Sequence, residues 1–175
     1  MVWSHATITG DQIGDHKIMS RLSDIELAGA KKMAHKAIAL SEAAMQFRAA
    51  LAATATDSNA ASTLGLFVRN SETNVVLNFA LTTPHGSVEV VFDQALKGGE
   101  LVGRFRFFLI ETGPTREQRA TEIWTILFTE NGNATWDPPD AFAWNFMADA
   151  LATEAYMGMA VLTLLAKLQK NVPAY

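Results

Sequence analysis

Two short segments carry the side chains best suited to proton transfer. His5-Ala6-Thr7-Ile8 and His85-Gly86-Ser87-Val88 each set a hydroxyl two positions after a histidine and follow it with an apolar residue. Imidazole changes charge near neutral pH, so a facing pair can pass a proton in both directions.

This paired H-x-[ST]-apolar pattern resembles the motifs of two-histidine phosphoesterases. The resemblance implies a hydrolase in which His5 and His85 act as general acid and base and Thr7 and Ser87 hold phosphate. It covers eight residues. That family interleaves helices and strands, whereas a run of strand-like sequence occupies the middle of this chain. The alternative reading makes His85 an exposed turn residue, since it lies in Thr83-Pro84-His85-Gly86, a natural type I turn.

Other polar groups are weighed in the same way. Asp11, Asp15 and His16 are close in sequence, but metal binding needs three or more converging ligands, and solvated loop polarity explains them better. No metal or cofactor is expected. His35 falls between Lys32 and Lys36 on the polar side of a helix. Glu89, Asp93, Arg104 and Arg106 alternate along two strands as a cross-strand charge cluster, which solvates a sheet face or binds a partner. Trp136 precedes Asp137-Pro138-Pro139-Asp140 and Trp144; tryptophan is enriched where proteins meet, and Trp136, in a loop, is the better contact candidate. The chain has no G-x-S-x-G elbow, phosphate loop or G-x-G-x-x-G turn.

The elements that must position these groups are more legible. Ser23-Asp24-Ile25-Glu26 is a capping box, with Leu22 and Leu27 as its hydrophobic staple. Met33, Ala37, Leu40, Ala44, Phe47 and Leu51 then recur every three or four residues, predicting a helix over about 24–53. Residues 64–129 switch to a period of two and predict a five-stranded antiparallel meander. Lys97-Gly98-Gly99-Glu100 closes a hairpin with a two-residue loop. The register that follows pairs Phe92 with Phe105, Val90 with Phe107 and Val88 with Leu109 on one face. On the other it pairs Asp93 with Arg104 and sets Glu89 diagonal to Arg106. Asp137-Pro138-Pro139 reads as the cap of a last helix over about 138–169, in which Trp144, Met147 and Leu151 share a stripe. Gly158 within it marks a close approach by another element, or a kink.

Helix, meander and helix make an α+β fold, a two-layer sandwich with both helices on one sheet face. Residues 1–22 form an N-terminal segment with a possible edge strand, and 23–175 one domain. At 175 residues and 49% hydrophobic composition, the chain can bury a sizeable core. A net charge of −4 disfavours nucleic acid, and zero cysteines exclude disulfides and thiolate chemistry. The start of the chain lacks a basic, apolar leader, and the apolar run 155–166 is short for a bilayer span. A cytoplasmic protein with no membrane partner is expected.

Two features are left over. Phe67, Val76, Val91, Phe108, Ile123 and Leu127 point away from the expected core, and exposed apolar patches usually meet a partner. Thirty helical residues also span about 45 Å against about 25 Å for the strands, so helix ends must overhang. A non-catalytic protein-interaction module, probed through Phe67, Val91, Arg104, Arg106, Phe108, Ile123 and Trp136 and self-associating as a homodimer, is the leading expectation. A small-ligand-binding sandwich is second, and the two-histidine hydrolase third.

Overall fold

In a computed structural model of the chain, the described residues are 23–56, 63–71, 77–113 and 115–172. The expected N-terminal segment, including His5, Thr7, Asp11, Asp15, His16 and Leu22, lies outside them, as does Val76.

Helix α1 spans Asp24–Thr56. Its capping box forms as expected. The Ser23 N–H donates to Glu26 Oε2 at 2.8 Å, and the Glu26 N–H donates to Ser23 Oγ at 3.3 Å. These bonds from Ser23 hold the Glu26 carboxyl below its ordinary pKa. Contact with the core begins late: Leu40, Ala43, Ala44, Phe47, Leu51 and Ala55 are buried, while Met33 is exposed. Residues 24–35 are exposed on every side, about 18 Å of helix running past the sheet.

One antiparallel sheet of seven strands follows, in simple sequence order. The strands are β1 Phe67–Asn70, β2 Phe79–Thr83, β3 Gly86–Lys97, β4 Glu100–Thr112, β5 Gln118–Phe128, β6 Asn133–Ala134 and β7 Trp144–Asn145. The α+β class and the antiparallel meander stand. The five-strand count and the detail of the two-layer sandwich differ: two short strands extend the sheet, which curls into a half-barrel. Helix α2, Ala150–Gln169, closes the chain.

The β3–β4 hairpin has the expected register. Val88 faces Leu109, Val90 faces Phe107, Phe92 faces Phe105, Asp93 faces Arg104 and Lys97 faces Glu100. Gly98 and Gly99 take φ of 60° and 83°, the left-handed region that a two-residue loop of this kind needs. Val90 and Phe107 are buried.

Three expectations about β5 and α2 are corrected. A register shift between Phe107 and Phe108 leaves Ile123 without a partner on β4: Trp124 faces Phe107 and Glu122 faces Phe108. This bulge turns Ile123 toward the core, where it is partly buried, and Leu127 is buried as well. The last helix begins at residue 150. Asp149 is its N-cap, its side chain accepting from the Ala152 N–H at 3.0 Å. Residues 138–149 are turns and strand, with Trp144 opposite Ala134. Finally, Gly158 has open space where a Cβ would lie, so no element packs against it.

The core lies between the helices and the sheet. Phe47 of α1 meets Phe105 at a ring separation of 4.7 Å and Phe146 at 5.3 Å, and Phe128 stacks on Phe105 at 5.2 Å. Met157, Ala160, Val161, Leu164 and Leu168 supply the contribution of α2.

Candidate functional site

His85 sits where its turn sequence places it. It occupies the two-residue loop between β2 and β3 and is exposed, and its N–H donates to Thr83 Oγ1 at 3.2 Å. The Ser87 hydroxyl accepts from an Arg69 guanidinium nitrogen at 3.2 Å. The shallow hollow beside His85 is lined by Pro84, Leu109, Glu111, Leu168 and Asn171. His35 is exposed on the projecting part of α1. Among the described residues no group of three or more histidine, aspartate or glutamate side chains converges to hold a metal ion.

The charge cluster on the outer sheet face does assemble. Arg104 Nε donates to Asp93 Oδ1 at 2.7 Å and its Nη2 to Asp93 Oδ2 at 2.9 Å, a bidentate pair that raises the Arg104 pKa further. Arg106 reaches the same carboxylate at 2.9 Å, and its guanidinium carbon lies 5.3 Å from the Phe108 ring centre. Glu89 lies diagonal to Arg106 in the register as expected, but Arg106 turns to Asp93 and Glu89 accepts from the Ser71 hydroxyl at 2.8 Å. Val91 and Phe108 are half-buried in this face, while Phe67 on β1 is 56% exposed. The arginines are drawn onto Asp93 and Phe108.

Trp136 is less available than its loop position suggests. It stacks on Trp144 at 4.8 Å, and its carbonyl accepts from the Trp124 indole N–H at 2.6 Å. Asp137, expected to cap a helix, instead pairs with Lys167 of α2 at 2.8 Å.

The helix layer holds the larger apolar exposure. On α1, Ile38 is 59% and Met45 49% exposed, on the side away from Leu40, Ala44 and Phe47. On α2, Leu151 is 79% and Leu162 56% exposed, with Met159 beside them. The expected stripe of Trp144, Met147 and Leu151 does not form, since Trp144 is buried in a strand and Leu151 faces solvent; Ile38, Met45 and Leu162 fall in no sequence motif. The signal was a second periodicity: Ile38 and Met45 are seven apart, and Leu151, Ala155, Leu162 and Ala166 are spaced four, seven and four. An alanine-rich cleft of about 610 Å³ opens between the helices, lined by Gln46, Ala50, Ala53, Phe146, Met147 and Glu154 among others. At 20 residues α2 is also long and apolar enough to cross a bilayer by length and composition. The short run 155–166 understated it, although its inner face belongs to the core.

No family model matches the chain, and neither a curated protein nor a solved structure matches it.

Proposed function

We propose that the protein is a non-catalytic protein-interaction module, of inhibitor, immunity, chaperone or adaptor type. The observation that supports it is the helix layer: Ile38, Met45, Leu151, Met159 and Leu162 are large, apolar and about half exposed or more. Apolar groups in water favour burial at roughly 25 cal/mol per Å², and a protein partner supplies that burial. The sheet-face candidates Val91, Arg104, Arg106 and Phe108 then flank the interaction rather than lead it, and Phe67 stands apart at the sheet edge. In this reading the protein is cytoplasmic and binds neither nucleic acid nor membrane; a net charge of −4 supports the former.

Immobilised protein should retain a co-purifying protein, or its own copies, in near-stoichiometric amount. Retention should fall at least about tenfold in a Met45→Glu, Leu151→Glu variant of unchanged melting temperature, the scale of a lost interface anchor. A wild-type protein that retains nothing, including itself, defeats the reading. So does a phosphodiester-hydrolysis activity lost on replacing His5 and His85 with alanine while the fold is intact; the expectation is a change within about threefold.

A second reading rests on the 610 Å³ cleft between α1 and α2, within the size range of small-molecule sites. Its mostly apolar wall and the Gln46 and Glu154 side chains suit an amphipathic ligand. Ala50→Trp should abolish binding of such a ligand while leaving partner retention unchanged.

A further inference from the structure

The outward face of α2 has a pattern that favours one occupant. Leu151, Ala155, Gly158, Met159, Leu162 and Ala166 lie on the side opposite Met157, Val161 and Leu164, which are buried. Their positions are symmetric about the midpoint between 158 and 159, and their sizes are opposite across it. Under a two-fold axis at that midpoint, Leu151 of one copy meets Ala166 of the next, Ala155 meets Leu162, and Gly158 meets Met159. Every large side chain faces a small one. An isologous dimer demands this reciprocity, since each contact occurs twice with the partners exchanged.

Two further observations agree. Gly158 costs a helix interior roughly 1 kcal/mol relative to alanine, yet nothing inside the protein occupies the space a Cβ would fill. A methionine from an antiparallel second copy would use that space. The charged residues of α2 lie off this face: Lys167 is tied to Asp137, and Glu154 lines the cleft toward α1. No like charges therefore oppose a second copy.

We propose that the chain forms a two-fold homodimer through antiparallel packing of α2 on α2, centred between Gly158 and Met159. The proposal rests on the interaction-module reading and names its partner as a second copy. One helix pair is smaller than a standard interface of roughly 800 Å² per partner, which suits a concentration-dependent dimer.

Light scattering of the full chain at about 100 µM should give twice the 19.0 kDa chain mass, falling toward 19.0 kDa on dilution. Gly158→Leu fits the monomer and improves its helix propensity, so it should raise the monomer's melting temperature while weakening the dimer at least about tenfold. Register is tested by cross-linking, which the absence of cysteines makes clean. Ala155→Cys and Leu162→Cys chains, each inert alone, should form a disulfide-linked pair when mixed under oxidation. Cross-linking of Ala155→Cys with itself indicates parallel packing and overturns the geometry. A wild-type chain monomeric at this concentration overturns the dimer. If that monomer still retains a different protein in a manner Leu162→Glu abolishes, the interaction-module reading survives. If it retains no protein but binds phosphatidylcholine vesicles, both fail.

Discussion

The β3–β4 hairpin and the segment 131–149 belong to one sheet, with β5 between them, and are built on opposite principles. In the hairpin, two glycines in the left-handed region set the turn, and strict alternation sets the register over eleven residue pairs. What sets its turn and register lies within the hairpin itself, between Gly86 and Thr112. In 131–149, strands β6 and β7 are two residues each and depend on distant groups. Trp136 stacks on Trp144 within the segment, but Thr135 Oγ1 accepts from the Leu127 N–H of β5 at 3.1 Å, and Asp137 reaches Lys167 of α2 across thirty positions. The first region carries its own turn and register in its sequence. The second has its shape only because β5 and α2 are already in place.

The sharpest way to break the contrast is Trp144→Ala. Trp144 is buried among Phe47, Trp136 and Phe146, and losing such a ring costs about 3–5 kcal/mol. Denaturant unfolding should show that loss. Hydrogen exchange should accelerate at the Ala143 amide, which donates to Ala134, before it does along β3. Equal acceleration in both regions would erase the distinction.

Gly103→Ala attacks the hairpin side. A Cβ on Gly103 would land within the Phe128 ring, which lies across the strand from it. Relief requires moving a ring packed on Phe105 and Phe146, so the cost should be about 1–3 kcal/mol by chemical denaturation. A neutral result would show that Phe128 repacks freely.

The two aspartates that compete to start the last helix come next. Asp149→Ala removes the N-cap and should cost about 1 kcal/mol. Asp137→Ala removes a half-exposed ion pair and should cost under about 1 kcal/mol, less than the cap. Reversal of that order in paired melting curves would mean that the Asp137–Lys167 pair outweighs the cap.

The smallest effect concerns the hairpin tip. Glu100 accepts from Lys36 at 3.0 Å, which holds its carboxyl below the ordinary pKa and raises that of Lys36. A depressed carboxyl stabilises the fold above its unfolded pKa, and the contribution is lost as pH falls through the folded value. The raised lysine stabilises below its unfolded pKa and loses its contribution as pH rises through the folded one. Glu100→Gln should therefore flatten the acid limb of stability against pH slightly, and about 1 M salt should remove the difference. A difference that persists in salt would mean the pair is better shielded from water than its exposure indicates.

Legibility followed the range of the interactions. The capping box was readable because Ser23 and Glu26 are three apart and satisfy each other. The end of the last helix was readable, but its start was not. Asp-Pro-Pro and the spacing of Trp144, Met147 and Leu151 imitate a capped helix, and no local rule reveals that Trp144 has a strand partner at Ala134. The bulge at Ile123 was hidden for a similar reason: alternation continues in the sequence while the register slips in space. Of the candidate contact residues, Val91, Arg104, Arg106 and Phe108 do share one face, but how far Asp93 engages both arginines depends on side-chain reach across two strands.

By itself, the sequence determined the α+β class, the strand alternation of the central meander, the glycine turn and its register, and the cap of α1. Each follows from steric and hydrogen-bonding rules acting over a few residues. Tertiary structure alone decided where α2 begins, that Trp136 and Ile123 turn inward, and which helix faces stay in water. Those outcomes depend on which surfaces compete for the same buried volume, and that competition is settled only when distant elements meet.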